Sequence, residues 1–125
     1  MIPPHRLVGM RYRLGADPER HGKVDCLSLT RTVLAWQGIK TPAPTRDWYR
    51  RLYRGDYSIF KQQLEQWGKI VASPRLTGTV ALCESNNGYA MAVYWEGGFL
   101  HCLTSEVKWS PANHLVVVAF YCPQK

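Results

Sequence analysis

The residues with the most chemical potential lie together in Asp25-Cys26-Leu27-Ser28-Leu29, where a cysteine opens a predicted helix. Asp25 is a natural N-cap, Cys26, Leu29, Val33 and Trp36 recur at helical spacing, and Gly38 offers the left-handed stop. A thiol in a first helical turn feels the positive end of the dipole, which favours thiolate. The free N–H groups of that turn can also hold an oxyanion, so nucleophile and transition-state support would share one stretch of backbone. The plainer alternative is a small apolar side chain on a buried helix face. Of the four histidines, His101 ends the run Gly98-Phe-Leu-His, His21 precedes Asp25 by four residues, and His5 and His114 read as surface residues.

The elements that must position these groups fall into three blocks of one predicted domain. Residues 1–24 read as an irregular arm, with Tyr12-Arg-Leu-Gly15 followed by a polar turn at 17–22. Residues 25–68 are helical. Thr45 can cap a helix over Asp47–Arg54 with Trp48, Leu52 and Tyr53 on its inner side, and Ser58 another with Phe60, Leu64 and Trp67 inward, ended by Gly68. Residues 69–122 then read as strands, with segments at Lys69–Ala72, Thr79–Cys83, Tyr89–Trp95, Phe99–Leu103, Glu106–Trp109 and Val116–Tyr121. Turns fall at Asn86-Asn-Gly88 and Glu96-Gly-Gly98, and the nearly continuous apolar character of the last segment suggests a central strand. Helices first and strands afterwards predict an α+β fold, with an antiparallel sheet of about five strands.

Composition narrows the function. In 125 residues the net charge is +7, which favours an anionic neighbour. Zinc-finger spacing, RNP-like aromatics and phosphate-binding glycine loops are missing, so charge alone is a poor argument for nucleic acid. Arg46, Arg50, Arg51 and Arg54 surround one short helix and form the candidate docking surface. No apolar run reaches membrane-spanning length, and the N-terminus lacks the apolar core of a signal peptide. Cys26, Cys83, Cys102 and Cys122 are widely spaced, which suggests reduced thiols in a chain made in a cytoplasm. No cofactor is expected.

The Tyr-x-x-Gly segment at 12–15, Asp25-Cys26-x-x-Leu29 at a helix start, Gly38-Ile-x-x-Pro42 after it and the later hairpin ending in Phe-Leu-His101 resemble the NlpC-type, papain-like cysteine peptidases. Those enzymes cleave peptide stems of bacterial cell walls, and compact arginine-rich versions also resemble proteins built into phage tails. The resemblance runs from Tyr12 to about Leu103. It implies a papain-like fold, Cys26 as nucleophile, Tyr12 as an oxyanion donor and His101 as the residue that orients the base. A leaderless chain carried to the cell surface in a virion would fit that setting.

The resemblance also implies a basic histidine early in the preceding strand, and the matching position here is Tyr89 or Ala90. A neutral phenol accepts a thiol proton poorly and alanine not at all; loss of a positioned acid/base costs about 10²–10⁴ in rate. Leu27-Ser28 also replaces the family's Ser-Gly after the nucleophile. Two replacements for the base are open, His101 swinging in from the hairpin or His21 folding over from the arm. Cys26, His101 and Cys102 would be neighbours in such a fold, but adjacent strand residues face opposite ways, so no metal site is expected. Two readings follow. One is a structural or docking protein of a phage tail or baseplate that binds other tail subunits and has lost its base. The other is a peptidase that cuts cell-wall peptide with a Cys26–His101 dyad.

Overall fold

The structure, a computed structural model, describes residues 2–71, 77–85 and 88–123. It is a mixed α+β fold with four helices among the described residues and a six-stranded antiparallel sheet. The longest helix, α2 (Cys26–Trp36), starts where its capping chemistry dictates. The Ser28 N–H donates to Asp25 Oδ1 at 2.7 Å and the Asp25 N–H donates back to Ser28 Oγ at 3.0 Å. It ends as Gly38 takes φ +84° and the Ile39 N–H reaches back to the Leu34 carbonyl at 2.8 Å. The buried stripe runs through Cys26, Leu27, Leu29, Thr30, Val33 and Leu34; Trp36, expected on it, is largely exposed at the helix end.

Before α2, the arm is more ordered than the sequence suggests. Strand β1 (Arg11–Tyr12) pairs in parallel with β2 (Lys23–Val24), and the short helix α1 (Pro18–His21), capped by Asp17, bridges them. On its other side the same segment bonds to residues 105–107: Gly9 N–H to the Val107 carbonyl at 2.8 Å and Tyr12 N–H to the Ser105 carbonyl at 2.9 Å. Tyr12 therefore stands on a fixed backbone. These contacts join chain positions about ninety residues apart, which local pattern cannot report.

Helix α3 (Arg46–Tyr53) is capped by Thr45 and buries Trp48 and Leu52, while Tyr53 is 70% exposed rather than inward. Helix α4 (Ile59–Trp67) follows, but Ser58 does not cap it, since its hydroxyl donates to Asp56 instead. Gly68 ends α4 in extended backbone and begins the sheet directly. A Cβ there would lie 2.2 Å from the Cys122 carbonyl oxygen, so the close approach of two strands explains this glycine.

The strands β3 (Gly68–Val71), β4 (Val80–Ser85), β5 (Gly88–Trp95), β6 (Gly98–His101), β7 (Lys108–Ser110) and β8 (Val117–Pro123) are ordered β3-β8-β4-β5-β6-β7. Six strands replace the expected five or so, and β4 and β5 occupy the centre. Strand β8 lies one place from the edge, and its apolar run serves two faces. Tyr121 and Ala119 pack toward the helices and Val117 and Phe120 away from them, with a register shift opposite Leu82 and Cys83. Glu96 (φ +47°) and Gly97 (φ +82°) make the predicted tight turn between β5 and β6. The turn expected at Asn86-Asn-Gly88 and the end of the segment at Ala72 lie outside the described residues.

The three longer helices cover one face of the sheet, where Leu82, Met91, Val93, Leu100 and Cys102 join Leu29, Leu34, Leu64 and others in the main core. On the far face Ala81, Cys83, Ala92 and Phe99 form a smaller cluster closed by Ala112 and Leu115. Among the described residues no helix is long and apolar enough to cross a membrane.

Candidate functional site

A cleft of about 250 Å³ opens where the first turn of α2 meets the sheet and the ordered arm. Cys26, Asp25, Tyr12, Tyr57, Tyr89 and Cys102 line it, with Leu14, Phe60 and Ala90 supplying apolar wall. The structure thus brings together Cys26, Tyr12 and the Tyr89–Ala90 position of the sequence reading. In β5, Tyr89, Met91 and Val93 share the helix side, so Tyr89 is the residue of that pair whose phase follows Cys26.

Asp25 is the organising group of the floor, and it is almost fully buried. Besides the Ser28 N–H it accepts the Gly15 N–H at 2.8 Å and the Tyr49 phenol. Gly15, at φ +83°, is therefore the link that fastens the Tyr-x-x-Gly segment to the start of α2. Tyr49, on α3, gave no signal in the sequence beyond its aromatic character. Its phenol is held protonated well above the usual range, chiefly by burial and then by the Asp25 carboxylate.

Cys26 does not behave as helix position alone predicts. Its thiol is pushed up to about 12, first by burial and then by the adjacent Asp25 carboxylate, against smaller opposing help from the Met91 and Cys26 backbone. A helix dipole contributes roughly 0.3–2 kcal/mol, whereas full desolvation moves a pKa by up to about 3–5 units. Burial wins, and the expected thiolate is absent near neutral pH. Tyr12 is likewise kept protonated by burial and by the neighbouring Cys26 and Asp25, which leaves it a hydrogen-bond donor facing the cleft.

His101 is not brought to Cys26. In β6, Leu100 faces the helices, so Phe99 and His101 face away, and Cys102 turns back toward the cleft. His101 is 5% exposed, its Nε2 lies 2.8 Å from Ser110 Oγ and its Nδ1 is buried without a partner. Burial, and then Lys108, push the imidazole below its ordinary value. One residue of strand phase thus turns His101 away from the cleft, against the alternative of a Cys26–His101 dyad. His21 is exposed at the end of α1, where its Nδ1 accepts the Asp17 N–H at 2.9 Å, and His5 and His114 are exposed as expected. None of the four histidines lines the cleft.

On α3, Arg46, Arg50 and Arg54 are exposed, but Arg51 is committed within the chain. Its guanidinium donates to Asp56 Oδ2 at 2.8 Å and to Gln62 Oε1 at 3.0 Å. The docking surface read from four arginines thus has three free guanidinium groups. No cluster of three or more His, Cys, Asp or Glu suited to a metal ion occurs among the described residues. No protein-family model matches the chain, and no curated protein matches it.

The arrangement holds a neutral thiol beside a phenol donor, with no imidazole in the cleft lining. Such a cleft can bind, and none of the four histidines lines it to take the thiol proton and return it to an amide leaving group.

Proposed function

We propose that the chain is a docking component of a phage tail or baseplate, with an NlpC-type papain-like fold whose hydrolytic site is degenerate. The observation that carries this reading is that Cys26 shares the cleft with Tyr89 while His101 faces the other side of the sheet. The phage setting rests on the resemblance of its short motifs and on the arginine-rich surface. Arg46, Arg50 and Arg54 would meet an acidic patch on neighbouring tail subunits, where exposed guanidinium groups give orientation and association rate.

The reading of the cleft as an active cell-wall peptidase draws support from Cys26 at a helix start beside Tyr12, and the same experiment weighs it. Cell-wall stem peptide is incubated with the wild type and Cys26→Ala, and incorporation into tail particles is followed for the wild type and the triple reversal Arg46→Glu, Arg50→Glu, Arg54→Glu. Equal background cleavage by both thiol variants, with loss of incorporation in the reversal, supports a docking module. Cleavage that requires Cys26 overturns the degenerate site, and full incorporation of the reversal overturns the docking surface.

A further inference from the structure

The strand phase that removes His101 from the cleft puts a second sulfur in its place. Cys26 opens α2 at the floor, and Cys102 follows the last residue of β6 on the same side. Both belong to the main apolar cluster and both line the one cleft, at 9% and 7% exposure. The Tyr12 phenol feels both sulfurs, and the Cys102 thiol feels Cys26. Of the other two cysteines, Cys83 is fully buried in the far-face cluster, from where it adds only the last of the influences on Cys26, and Cys122 is half-buried on β8.

We propose that Cys26 and Cys102 are a crosslinking thiol pair that closes into an intramolecular disulfide when the chain meets a low-molecular-weight disulfide such as oxidised glutathione. The Cys26 thiolate attacks one glutathione sulfur, forming a mixed disulfide and expelling a glutathione thiolate. The Cys102 thiolate then attacks the Cys26 sulfur and expels the second glutathione. The two protons lost by the protein pass to the two glutathione thiolates, so one disulfide is reduced for each one formed. The inference rests on where the two sulfurs lie and is independent of the docking reading.

The environment sets the character of this crosslink. Burial pushes the Cys26 thiol up to about 12 and Cys102 further, so few thiolates exist near neutral pH and closure is slow. Thiols that ionise poorly are also poor leaving groups, so the closed form resists reduction. The pair acts as a latch that ties the start of α2 to the end of β6, suited to an oxidising exterior rather than to rapid cycling.

The test uses the full folded chain, oxidised glutathione in mildly alkaline buffer, an acid quench and non-reducing peptide mapping by mass spectrometry. The expected product links the peptides of Cys26 and Cys102 with loss of the two thiol hydrogens, leaves Cys83 reduced, and shows a higher Tm that a dithiol reductant reverses. In Cys102→Ser, Cys26 should instead carry one glutathione, and Cys83→Ser should crosslink as the wild type does. Separate glutathione adducts on Cys26 and Cys102 in the wild type, or both thiols remaining reduced while the urea-unfolded chain oxidises, would overturn the proposal.

Discussion

The two faces of the sheet at β5 and β6 carry the same kinds of reactive groups and do different things with them. On the helix side Cys26, Cys102 and Tyr89 meet in an open cleft. On the far side His101 and Ser110 are bonded to each other at 2.8 Å, on the face that also carries the small apolar cluster of Phe99 and Ala92. A nucleophile and a base that would make a dyad on one face are separated by the thickness of a single sheet. The lesson is that strand phase, more than residue inventory, decides whether a thiol and an imidazole can share a proton.

The comparison can be broken most violently through packing. Phe99→Ala removes a buried ring from the far-face cluster and should cost about 3–5 kcal/mol in urea unfolding, yet leave Cys26 alkylation in the remaining folded protein unchanged. Asp25→Ala acts on the other face. It strips α2 of its cap and leaves the Gly15 N–H and the Tyr49 hydroxyl without their acceptor, for a loss of about 2–4 kcal/mol. It should also lower the Cys26 pKa, because the nearby carboxylate is one of the groups that raise it. An Asp25→Ala protein of wild-type stability would contradict the role given to that floor.

A pH titration separates the faces more gently. His101 is held below its ordinary value by burial, so the folded chain binds a proton there less readily than the unfolded chain does. Stability is then full above the ordinary histidine pKa and falls as pH drops from there toward the lower folded value. Urea midpoints at neutral and mildly acidic pH should show this decline, and His101→Leu should flatten it. The smallest effect belongs to the surface. Arg51→Ala loses its links to Asp56 and Gln62 and should cost about 0.5–1 kcal/mol, while Arg50→Ala should stay within about 0.5 kcal/mol by the same measurement.

How far all this could be read from sequence depends on the range of the signal. The start of α2 was legible because Asp25 and Ser28 cap one another over three residues, and the β5–β6 turn because Glu96-Gly97 needs left-handed backbone. Alternation failed in Gly98-Phe-Leu-His101, since every one of these residues is buried and no polar side chain marks an outer face. The sequence therefore leaves the side taken by His101 and Cys102 open, and the structure puts Cys102 rather than His101 at the cleft. The order inside the arm and the pairing of β3 with β8 come from partners far along the chain. The local pattern around Cys26 reports the helix dipole but not the burial that outweighs it, so the raised thiol pKa has no signal in the sequence.

Separation of the Cys26 thiol from the His101 imidazole is read from the rate of Cys26 alkylation by iodoacetamide against pH, followed by peptide mapping in the wild type, His101→Ala and Tyr89→His. A slow rate is expected in the wild type that climbs with pH into the alkaline range, with an identical profile in His101→Ala and a faster rate near neutral pH in Tyr89→His, where an imidazole enters the cleft on the thiol's own face. A fast neutral-pH reaction in the wild type that disappears in His101→Ala would contradict this expectation, because the sheet would then not separate the thiol from its base.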